Sequence, residues 1–207
     1  MKFNQDDTEA LLQLLSWRRD VRHFERAPLT AQQIAKLLDA IDLAPSVGNS
    51  RPWRFVRVQS DTLRDRIYQN FLKSNSDAAG AYSGEDAEKY DKLKLAGLKE
   101  APLQLAVFTD TEPSAGKGLG RQTMPETLTY STIIAIHNLW LAARSMNIGV
   151  GWVSILERDR FAEMLDIPKE WQFTAYLCLG YPSFNSKTPE LHEEDWQRNT
   201  KTEWIER

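Results

Sequence analysis

Between Pro125 and Asn147 the chain carries one unbroken helical pattern with almost no polar face. Leu128, Ile133, Ala135, Ile136, Leu139, Trp140, Ala142, Ala143 and Met146 cover well over half of its circumference. A helix apolar on most sides belongs in an interior, packed between other elements, so any fold open to this chain has to be built around it. Asn147 and Gly149 are suited to ending the helix because both tolerate left-handed backbone. Val150 to Ile155 then reads as a strand.

The remaining pattern alternates helices and short strands without a linker. Residues 7 to 18 form a helix with Leu11, Leu12 and Leu15 on one side. Thr30 opens a second, with Gln33 in capping-box position and Ile34, Leu37, Leu38 and Ile41 at helical spacing; Pro45 ends it. Trp53 to Gln59 and Leu103 to Thr109 read as strands, with helices over 61–79 and 85–100 between them, broken at Ser83-Gly84. A short helix around Phe161, Met164 and Leu165 is closed by Pro168, and Trp171 to Gly180 is the last buried strand. The order predicts a mixed α+β domain rather than a regular βαβ array. One domain over 1–207 suits the length. The segment from 182 to 207 differs: it is polar and proline-containing, yet carries Trp196, Trp204 and Ile205, which favours docking on another surface, with a partner subunit as the expected host.

A net charge of -3 supplies no general attraction to nucleic acid or to an anionic membrane, so an anion has to be met by a local cation cluster. No apolar run approaches a bilayer span, and Met1 to Asp7 lacks the apolar core of a signal peptide, which predicts a cytoplasmic protein. Cys178 is the single cysteine and sits in an apolar run, where it reads as a core residue. His23, His137 and His192 lack ligand spacing, so no metal site is expected.

Three stretches carry chemistry. Arg18, Arg19 and Arg22 place three guanidinium groups within five residues, where the first helix gives out. Each planar fork suits phosphate, with charged hydrogen bonds worth about 1.5–3 kcal/mol, although a solvated basic helix end would look the same. Asp20 sits among these cations and can simply pair with one. Ser46-Val47-Gly48-Asn49-Ser50-Arg51-Pro52-Trp53 offers small and hydroxyl-bearing residues that can approach an aromatic ring system, or it is a plain helix-to-strand connection. In Gly149-Val150-Gly151 the glycines are either a helix stop and a bulge, or a place where backbone N–H groups reach a ligand.

With Arg18-Arg19-Asp20-Val21-Arg22, Ala44-Pro45-Ser46-Val47-Gly48, Tyr130-Ser131-Thr132, Asn138 to Arg144, Gly149 to Ile155 and Ala175 to Tyr181, the chain resembles the FMN-binding nitroreductase superfamily over nearly its whole length. Asp20, where relatives commonly carry Ser, and Ser154, in the strand passing the ring, mark resemblance to its flavin-fragmenting branch. Arg51 replaces the usual Gln before Pro-Trp. The resemblance implies a mainly antiparallel sheet flanked by helices, and a homodimer with an exchanged C-terminal tail. It also implies flavin sites at the dimer interface, the Ser46 loop facing the partner's flavin.

It implies Asp20 and Ser154 as the catalytic pair. Arg18, Arg19, Asp20, Val21, Arg22, Ser46, Gly48, Leu95, Trp152, Val153, Ser154 and Arg198 are the implied FMN-binding positions. The implied reaction consumes reduced FMN as substrate, with dioxygen as cosubstrate, yielding 5,6-dimethylbenzimidazole, the lower ligand of cobalamin, and erythrose 4-phosphate. The resemblance also implies a separate flavin reductase as the source of the reduced FMN. Two alternatives stay open: an NAD(P)H-dependent nitroreductase or quinone reductase that keeps its FMN, and a non-catalytic flavin-binding module.

Overall fold

The computed structural model describes residues 1–93 and 95–207. In chain order the elements are α1 (Gln5–Trp17), α2 (Ala31–Asp42), β1 (Trp53–Arg57), α3 (Asp61–Ala79), α4 (Glu85–Lys92), β2 (Leu103–Asp110), α5 (Thr127–Ser145), β3 (Gly149–Val153), α6 (Phe161–Met164), β4 (Trp171–Gly180) and α7 (Glu190–Glu193). The four strands form one antiparallel sheet in the order β1-β2-β4-β3.

Strand alternation sorts the core into two layers. Val107, Ala175, Leu177 and Leu179 face one side, where they meet Ala135, Ile136, Leu139 and Ala143 of α5, with Leu37 and Ile41 of α2 behind. Ala106, Phe108, Tyr176 and Cys178 face the other side, against Ile67 and Phe71 of α3 and Phe161 of α6. The sheet therefore lies between two helical layers. α2 begins as its sequence requires: the Thr30 side chain accepts from the Gln33 N–H, and Gln33 reaches back to the Thr30 N–H. Asn147 follows α5 at φ 59, the left-handed position its amide tolerates.

Several boundaries differ from expectation. α5 buries one face only; Tyr130, Ile133 and Ile134 are exposed, because a single sheet face and α2 cannot cover so wide an apolar stripe. α1 buries no residue, and Leu11, Leu12 and Leu15 all face solvent. The helix expected over 85–100 ends at Lys92. Leu93 is extended, residue 94 lies outside the described residues, and Leu95 to Leu98 pass beneath the segment around Phe24. β3 stops at Val153, leaving Ser154 outside the strand.

The tail turns back on its own chain as far as Trp196, which packs against Tyr82 and Tyr90 at 5.2 and 6.1 Å. Trp204 and Ile205 remain exposed. Among the described residues, no helix is long and apolar enough to cross a membrane.

Candidate functional site

After α1 ends, the chain meets β3 at Asp20 and Val21 and then pairs, over His23 to Glu25, with residues 181 to 183 just after β4. Asp20 bridges Val150 in parallel fashion, the Val21 N–H donates to the Val150 carbonyl at 3.0 Å, and Phe24 bridges Pro182. This strap lies very close to the sheet. A Cβ on Gly151 would stand 2.1 Å from the Val21 carbonyl oxygen, and one on Gly149 would meet the Val21 side chain at 2.8 Å. Gly97 is pressed in the same way beneath the Phe24 ring. The two β3 glycines are thus there for the strap, a third role beyond the helix stop or ligand edge that the sequence suggests; the β3–β4 register contains no bulge.

The strap delivers Asp20 to the end of β3. Its Oδ1 accepts from the Trp152 N–H at 2.8 Å, and its Oδ2 accepts from Arg22 Nε at 3.0 Å. The carboxylate keeps about a third of its surface open, whereas Arg22 is 12 % exposed. Ser154, two residues beyond Trp152, is exposed, and its carbonyl accepts from the Leu156 N–H at 3.0 Å. Val153 points into the core, Leu95 is half-buried against the same cluster, and Val21 packs beside it.

The other arginines are divided. Arg18 lies over Trp140 at 5.0 Å, and the Trp140 indole N–H donates to the Arg19 carbonyl at 3.2 Å. Arg19 donates to the carbonyls of Ser16, Arg18 and Lys187. Its Nε is buried without a partner. Burial lowers the pKa of Arg19, and the nearby charges of Arg18 and Arg144 lower it further, so this corner holds an excess of positive charge. An orphaned N–H among three guanidinium groups fits the anionic end of FMN, and an open carboxylate and hydroxyl fit its polar chain. FMN is therefore compatible with these residues. Sequence reasoning gave Trp140 and Arg144 no site role, although both lie in the Asn138 to Arg144 stretch that carries the resemblance; no local signal separates them from core and surface positions.

Three further expected positions lie elsewhere in the chain. Ser46 Oγ accepts from the Arg51 N–H, and Gly48, at φ 57, packs on the carbonyls of Gly116 and Leu119. The Val47 N–H is held by Ser131 Oγ. Ser131 and Trp140 are nine residues apart on α5, about 13 Å along the axis, which separates this loop from the arginines of the same chain. Arg51 turns away to Asp42 at 3.3 Å. Arg198 is exposed beside Asp195 at 3.4 Å.

Residues 15–181 match the model of the nitroreductase family. A Rhodobacter capsulatus protein named 5,6-dimethylbenzimidazole synthase is 51% identical over 207 residues, covering 100% of both chains. One of the same name from Rhodospirillum rubrum is 50% identical, over 94% of this chain and 92% of its own. Among solved structures, an iodotyrosine deiodinase bound to FMN and 3-iodo-L-tyrosine superposes with a TM-score of 0.73 at 24% identity, covering 95% of this chain and 97% of its own. An FMN-bound nitroreductase from Desulfitobacterium hafniense gives 0.65 at 19%, covering 95% and 98%. Both share the fold.

Proposed function

The chain belongs to the nitroreductase family, and we propose that within it the chain is a 5,6-dimethylbenzimidazole synthase, fragmenting reduced FMN with dioxygen to that base and erythrose 4-phosphate. Half-identity over the full length of a relative bearing that name carries the reading. The seating of Asp20 on the Trp152 N–H, two residues before Ser154 in the chain, supports it from the structure.

Reduced FMN supplies the electrons and the ring that is broken; the protein supplies placement. Arg18 and Arg19, backed by Arg144, hold the phosphate end by charge, with Arg22 fixed beside them. Arg22 and the Trp152 N–H hold Asp20 in one rotamer, each taking one lone-pair direction of the carboxylate. The remaining lone pairs face the open side, where they accept hydrogen bonds from the ribityl hydroxyls and can take up a proton from the ribityl carbon. Ser154 offers a hydroxyl at the reactive edge of the ring.

The assignment includes a homodimer in which Ser46 and Gly48 of one subunit face the flavin held by the other. The exposed Leu11, Leu12, Leu15, Ile133 and Ile134 are apolar surface available to such a contact. It also includes a separate flavin reductase as the source of reduced FMN.

The test is anaerobic incubation with chemically reduced FMN, exposure to oxygen, and mass-spectrometric detection of the base. Stoichiometric loss of flavin with appearance of 5,6-dimethylbenzimidazole supports the synthase. Clean return to oxidised FMN, with steady NAD(P)H oxidation, replaces it by a conventional flavin reductase.

A further inference from the structure

Asn70 is a buried polar side chain, 8% exposed, on the face of α3 that otherwise presents Ile67 and Phe71 to the core. A primary amide in that setting needs partners, and it finds both on one residue across the fold. Its Oδ1 accepts from the Glu157 N–H at 2.9 Å, and its Nδ2 donates to the Glu157 carbonyl at 3.4 Å. Glu157 stands three residues beyond Ser154. Between them Ile155 and Leu156 pack against the second core layer, and the Leu156 N–H returns to the Ser154 carbonyl.

Ser154 is thereby suspended between two hydrogen-bonded anchors. Two residues before it, the Trp152 N–H is tied to Asp20; three residues after it, both backbone groups of Glu157 are tied to Asn70. No ladder bond of β3 reaches past Val153, so the downstream position of Ser154 depends on the second anchor. The Glu157 side chain is held separately, by Arg160 at 3.0 Å and Lys73 at 4.0 Å, and these exposed pairs do not fix its backbone.

We propose that Asn70 is a positioning residue for Ser154, holding the turn after β3 so that the hydroxyl stays in register with Asp20. This rests on the reading that Ser154 faces the reactive edge of the flavin. Asn70 and Glu157 line a surface groove of about 600 Å³, so water can replace the lost partner when Asn70 is changed, and the expected effect is a loosened turn rather than an unfolded protein.

The experiment compares Asn70→Leu and Asn70→Asp with the wild-type full-length protein in two readouts. The first is amide hydrogen exchange across 154–157; the second is 5,6-dimethylbenzimidazole formed per reduced FMN consumed, alongside FMN affinity. Asn70→Leu is expected to speed exchange at Glu157 about tenfold while β2 and β4 keep their protection, and to cut product yield about fivefold with FMN affinity within about threefold. Asn70→Asp, which keeps an acceptor for the Glu157 N–H but sets its second carboxylate oxygen against the Glu157 carbonyl, recovers part of both. Asn70→Ser keeps a polar group but is too short to span to Glu157, and gives the same readings where Asn70→Leu folds poorly. Wild-type exchange at 154–157 in Asn70→Leu and Asn70→Ser, an undiminished yield, or a loss in Asn70→Asp as deep as in Asn70→Leu overturns the role. A wild-type protein that forms no base refutes the synthase reading instead, and the exchange data still decide whether Asn70 holds the turn.

Discussion

Gly151→Ala puts the strap on trial. Its Cβ would stand 2.1 Å from the Val21 carbonyl oxygen and 3.2 Å from the carbonyl carbon. The obstacle is backbone, with no rotamer to give way. The strap has to retreat by roughly 1 Å to regain an ordinary carbon–oxygen contact. That movement breaks the Val21 N–H bond to Val150 and the Trp152 N–H bond to Asp20. A neutral backbone bond is worth about 1 kcal/mol and one to a carboxylate about 1.5–3, giving a loss of about 2.5–4 kcal/mol. For a chain of this size each kcal/mol moves Tm by about 2–4 °C, so a fall of about 5–16 °C is expected. Urea unfolding gives the free energy, thermal scans give Tm, and product formed per reduced FMN reports on Asp20. Gly149→Ala is the internal comparison: it meets the Val21 methyls at 2.8 and 3.0 Å and the Val21 Cβ, which no rotamer moves, at 2.9 Å, a milder clash than the one at Gly151, and it should cost about 1–3 kcal/mol. A Gly151→Ala protein with wild-type Tm to within about 2 °C and full product yield refutes the reasoning.

Asp20→Asn keeps an acceptor for the Trp152 N–H but presents NH2 to Arg22; it should lower product formation by about a hundredfold or more with FMN affinity within about threefold, and an equal loss of FMN binding in titration reduces Asp20 to a structural part. Arg18→Ala should weaken FMN by about tenfold in fluorescence titration while leaving riboflavin nearly unchanged, and equal losses for the two ligands exclude a phosphate contact. On the alkaline side, burial raises the pKa of both the Cys178 thiol and the Tyr176 phenol, so the folded chain retains protons that the unfolded chain releases. Their contribution is complete below the unfolded thiol pKa and is lost as pH rises past it; urea midpoints should fall above about pH 9, and Cys178→Ala should flatten that fall. Native Cys178 should resist thiol reagents at pH 8 and react only on unfolding.

Period and punctuation revealed most of the fold. Thr30 with Gln33, Asn147 after α5 and the apolar alternation of Ala175 to Leu179 each state their local structure in residues close together in the chain. What escaped was non-local. Gly149 and Gly151 are small because a segment about 130 residues upstream lies on them, and nothing near them in sequence says so. Leu95 to Leu98 leave the helical path for the same kind of reason, since Gly97 has to admit the Phe24 ring. At the site, Asp20 and Ser154 were legible through the resemblance. Arg144 and Trp140 were not, because a helix surface pattern does not say which residue faces an arginine. Asn70 left a trace: a lone amide between Ile67 and Phe71 on a buried face is a polar group in need of an explanation.

The bond between the Trp152 N–H and Asp20 spans 132 positions. Contacts so distant along the chain are costly to close early, and they form late in folding. During synthesis, the N-terminal residues leave the ribosome long before β3 exists to receive them. The carboxylate can therefore take its place only once β3 has been synthesised. A chain on which β3 has not yet been made holds Asp20 without the backbone donor that fixes its carboxylate.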